Sequence, residues 1–136
     1  MKNKSVNVEL LLKVKDAILA HPEHFNMGSF RAGYDFRKMA FNKLGVCQTS
    51  ACLAGWAVFI QHPRKFRDLH TEICDLAENI LQVNGTSVFF DEEWPSEFQI
   101  AYNRAADKED HQGMAKAAAD FIDHIIANPD DFVLQD

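Results

Sequence analysis

Cys47-Gln-Thr-Ser-Ala-Cys-Leu-Ala-Gly-Trp-Ala-Val-Phe-Ile60 is the least polar stretch of the chain, and its reading decides the fold. Small hydroxyl residues open it, with Thr49 or Ser50 suited to cap a helix through a side-chain oxygen. Ala51 and Gly55 are four residues apart and Ala54 is adjacent, so one face is small enough for close approach of a neighbour. A helix that is apolar on all sides is a buried helix. Residues 50–61 are therefore expected to form the buried central helix of an all-α fold.

Amphipathic segments surround this helix. Val8, Leu11, Leu12, Val14, Ile18 and Leu19 give residues 5–20 a helical stripe, with Ser5 or Asn7 as cap. Phe66, Leu69, Ile73, Leu76, Ala77, Ile80 and Leu81 keep the period over 66–83, and Asn84-Gly85 is read as the stop. Helices are predicted over 96–106 and 110–127. The last aligns Met114, Ala117, Ala118, Phe121, Ile122, Ile125 and Ile126. Residues 26–46 read as turns followed by a short helix or an aromatic lid. The expected architecture is a compact single-domain bundle of five to six helices spanning 1–136. A chain of this length buries enough surface to fold without a metal or a disulfide.

All four prolines are followed three residues later by phenylalanine: Pro22/Phe25, Pro63/Phe66, Pro95/Phe98 and Pro129/Phe132. Proline is preferred at the first position of a helix, where its missing N–H is not needed. A phenylalanine three residues on then falls at the inner half of a hydrophobic staple. These sites are expected to be corners at which one helix stops and another begins. Their intervals of 41, 32 and 34 residues approach a repeat period, but the units between them share no further pattern.

Charge is unevenly placed. Residues 1–70 carry eleven Lys/Arg against five Asp/Glu, a balance of +6, and residues 71–136 carry three against fifteen, a balance of −12. The total of −6 disfavours duplex nucleic acid as a partner. Polarity of this kind fits attraction between the two halves, or a surface for another protein. No run reaches the ~18 apolar residues of a membrane span. Lys13, Lys15 and Asp16 interrupt any signal-peptide core, and three cysteines fit no secreted disulfide framework. A cytoplasmic location and no membrane are expected.

The segment Ala17-Ile-Leu-Ala-His-Pro-Glu-His-Phe25-Asn-Met-Gly, the Cys47–Ala57 stretch and Trp94-Pro95 with Phe98 together resemble a group of small bacterial and phage proteins. That group shares a Cys-Gly-Thr-x-x-Cys-x-Ala-Gly core, and here Gln48 stands in place of its glycine. The resemblance covers most of the chain. It implies a common fold, and it brings no activity with it.

Four constellations offer chemistry. Cys52 falls in the first turn of the central helix, where the dipole and free amides favour a thiolate, and Cys47 lies just outside. The pair reads either as two buried small residues or as the centre of a thiol enzyme or redox sensor. Its five-residue separation is not the C-x2-C of zinc and redox motifs. His70 and Cys74 are spaced as two ligands on one helix face, but His21 and His62 are explained as corner residues; no metal or other cofactor is expected. Asp120 and His124 share the i, i+4 spacing of a base and its orienter, on a polar helix face. Finally, Asp91, Glu92, Glu93 and Trp94, with Asp107, Glu109 and Asp110, would place an aromatic in an acidic patch. That combination suits another protein with a basic surface, and its alternative is Trp94 in the core among loop carboxylates. No complete catalytic set is present, so a non-enzymatic interaction module is the favoured expectation.

Overall fold

In the computed structural model, α1 (Val8–Ala20) begins where Asn7 folds its side chain back, Oδ1 accepting from the Leu10 amide at 3.0 Å. Asn7 is thus the cap, one of the two residues expected. The structure describes residues 5–25, 53–62 and 73–134. Leu10, Leu11, Val14 and Ile18 are buried, whereas Val8, Leu12 and Leu19 are exposed. Only three of the six expected positions, Leu11, Val14 and Ile18, are therefore buried, and Leu10, outside the expected stripe, joins them.

Five further helices lie within the described residues: α2 (Leu53–Gln61), α3 (Ile73–Leu81), α4 (Gly85–Val88), α5 (Ser96–Asp107) and α6 (His111–Ala127). The bundle is all-α, and an isolated bridge of extended backbone joins Val83 and Val133. In α2, every residue from Leu53 to Val58 is buried, the signature expected of a helix enclosed all round. The longest helix, α6, contributes eight buried residues, including Phe121, Ile122 and Ile125. α6 packs against both α5 and α1, α1 meets α2, and α2 meets α3.

Two of the proline corners are single 3-10 turns, Pro22–His24 and Pro129–Asp131, and not the starts of new helices. In each the preceding helix ends on a residue whose amide reaches back four positions: His21 to the Ala17 carbonyl (2.9 Å) and Asn128 to the His124 carbonyl (3.0 Å). The phenylalanine amide then closes the turn on the proline carbonyl, at 3.1 Å in both cases. Pro95 differs. It is itself the cap of α5, so the expected register is displaced by one residue, and the helix runs on for twelve residues. The His62 amide reaches the Val58 carbonyl (2.7 Å) as at the other corners, but Pro63 and Phe66 lie outside the described residues.

Asn84-Gly85 does not stop α3. Gln82, at φ 59°, takes the left-handed position itself, and Asn84 caps α4 by accepting from the Thr86 amide at 3.0 Å. Asparagine serves both ends of helices, so the pair alone could not tell a stop from a start. Gly85 lies against the Glu78 side chain, which a larger residue would have to displace. Its amide donates to Glu78 Oε2 at 2.6 Å, and a Cβ there would lie 2.5 Å from the same oxygen.

Residues 80–84 form a joint for distant parts of the chain. Asn7 donates to it twice, from its amide to the Leu81 carbonyl (2.8 Å) and from Nδ2 to the Ile80 carbonyl (2.9 Å). The C-terminal segment adds Asn84 N–H to the Phe132 carbonyl (2.8 Å) and Leu134 N–H to the Gln82 carbonyl (3.0 Å).

Candidate protein-interaction surface

The acidic residues expected to form one patch fall at the two ends of α5. At its start, Asp91–Glu93 is a 3-10 turn held to the helix by Gln99 Nε2, which donates to the Asp91 carbonyl at 3.4 Å. At its end, Asp107 is the last helical residue, followed by Glu109 and Asp110. About 16 Å of helix separates the two groups, at 1.5 Å rise per residue. They are two surfaces.

Trp94 belongs to neither. It is only 4% exposed, its indole N–H donates to the Val88 carbonyl at 2.8 Å, and its ring lies 4.8 Å from Phe121 and 5.6 Å from Tyr102. This corrects its assignment as a contact residue: an indole whose polar atom is satisfied inside the core gains more from burial than from display. The exposed aromatic beside the turn is Phe90, 44% accessible. Its position at the end of the apolar run Val88-Phe89-Phe90 was the available signal. Val88 and Phe89 are buried, and the chain must turn before the carboxylates.

Glu109 and Asp110 have structural work. Glu109 adopts φ 54°, and its amide donates to the Ala106 carbonyl (3.0 Å) while that of Asp110 donates to Ala105 (2.8 Å). This is a Schellman closure of α5 with glutamate where glycine is usual. Asp110 then caps α6, Oδ1 accepting from the Gly113 amide at 3.0 Å. A carboxylate at this end of a helix also meets the positive pole of its dipole.

Residues 73–134 carry thirteen carboxylates and three cationic side chains, Arg104, Lys108 and Lys116. Lys116 binds Asp120 within α6 at 3.0 Å. Lys15 of α1 reaches Asp123 of α6 at 2.7 Å, one instance of the basic half meeting the acidic half. Glu92, Glu93, Glu97, Asp107 and Glu109 are exposed and form no ion pair among the described residues.

The Asp120/His124 spacing does not produce a catalytic pair. Asp120 is engaged by Lys116, and the His124 ring sits 5.2 Å from Phe98 and 5.7 Å from Phe132, with Nδ1 3.4 Å from Asn128 Nδ2. His21 stacks on Trp56, centroids 6.3 Å apart and planes within 10°. Cys47, Cys52 and His70 lie outside the described residues. Among the described residues no cluster of three or more His, Cys, Asp or Glu side chains could hold a metal ion, and no helix is long and apolar enough to cross a membrane. No family model, no curated protein and no solved structure matches this chain, so the surface at the start of α5 has to be judged on its own geometry.

Proposed function

We propose that this chain is a non-enzymatic interaction module whose acidic C-terminal half docks a basic surface on another protein. The observation that carries the reading is the start of α5, where the exposed Phe90 adjoins Glu92 and Glu93, both exposed and without ion pairs among the described residues. An aromatic with accessible carboxylates supplies an apolar anchor and long-range attraction in one place. The far end of α5 is the weaker of the two surfaces, since no exposed large apolar side chain among the described residues is next to Asp107, and Glu109 and Asp110 already close and cap helices.

The test compares the two ends. A labelled helical peptide of alternating leucine and Lys/Arg turns serves as the basic probe, with binding followed by anisotropy as salt is raised. The double substitution Glu92→Lys/Glu93→Lys should weaken binding about ten-fold, a loss of about 1.4 kcal/mol. Asp107→Lys/Glu109→Lys should weaken it about two-fold. Equal losses at both ends, or binding indifferent to salt, would overturn the assignment.

A further inference from the structure

We draw no further inference here: the strongest candidate, the exposed apolar stripe of Val8, Leu12 and Leu19 along α1, is an unpartnered helix face and nothing in the structure shows what covers it.

Discussion

The ends of α1 and α6 are built from two eight-residue stretches that share Ile, Ala, Pro and Phe at the same positions and have different surroundings. Ile18-Leu-Ala-His-Pro-Glu-His-Phe25 and Ile125-Ile-Ala-Asn-Pro-Asp-Asp-Phe132 agree in every feature that constrains the backbone. The resulting corners match closely. His21 stands at φ −131°, ψ 58° and Asn128 at φ −131°, ψ 56°, and each is followed by one 3-10 turn. Their side chains diverge. Phe25 is fully buried and meets the edge of Tyr102 at 6.3 Å, whereas Phe132 remains 7% exposed against Phe121 and His124. His21 stacks on the buried Trp56 of α2, while the Asn128 amide turns back on its own helix, donating to the His124 carbonyl at 3.0 Å. Backbone geometry here is a local property and side-chain placement a tertiary one.

The comparison can be broken most directly at the phenylalanines. Phe25→Ala should cost about 4 kcal/mol and Phe132→Ala about 3 kcal/mol, the usual range for emptying a buried aromatic site. Both are read as shifts of the urea midpoint at unchanged slope. A larger loss at Phe132 would mean that burial does not rank the two corners. Next comes His21→Asn, which converts the first cap into the second. It should cost about 1 kcal/mol through loss of the stack on Trp56, and no loss would show that the contact contributes little.

Replacing each proline sharpens the backbone half of the argument. Pro22→Ala and Pro129→Ala should each destabilise by about 0.5–1 kcal/mol, mainly by giving the unfolded chain more freedom. The two losses should agree, because the turns do, and a clear difference would refute local control. Asn128→His should have the smallest effect, within about 0.5 kcal/mol, as expected for an exposed position whose side-chain bonds reach only His124, one turn back. Thermal melts at matched pH would detect a larger cost.

The same division explains what could be read from the chain beforehand. The helix ends at the His21 and Asn128 corners, the Asn7 cap and the start of the last helix depend on neighbours a few residues away, and these emerged close to where they were expected. The all-round apolar character of residues 53–58 likewise announced a buried helix. Trp94 was ambiguous because its neighbours, three carboxylates and a proline, carry no information about the distant Phe121 and Tyr102 rings that enclose it. Gln82 and Glu109 could not be anticipated at left-handed positions, since neither residue type favours them. The single acidic patch dissolved for a simpler reason: the helix already expected over 96–106 lies between its halves, and its length alone holds them about 16 Å apart. Pro95 shows the limit of the corner rule. Phe98 still donates its amide to the Pro95 carbonyl, at 3.0 Å, but good helix formers follow and the turn becomes a helix.

The joint at residues 80–84 has a kinetic meaning. Its partners come from Asn7, 73 positions before Ile80, and from residues 132 and 134, some fifty positions after it. Closing a loop of the longer kind costs about 4 kcal/mol of chain entropy before any contact forms. The helices and proline corners need no such closure. The joint is therefore expected to assemble after the folding barrier has been crossed, and its four hydrogen bonds to slow unfolding without hastening folding. Its contribution would appear in how long the native state persists.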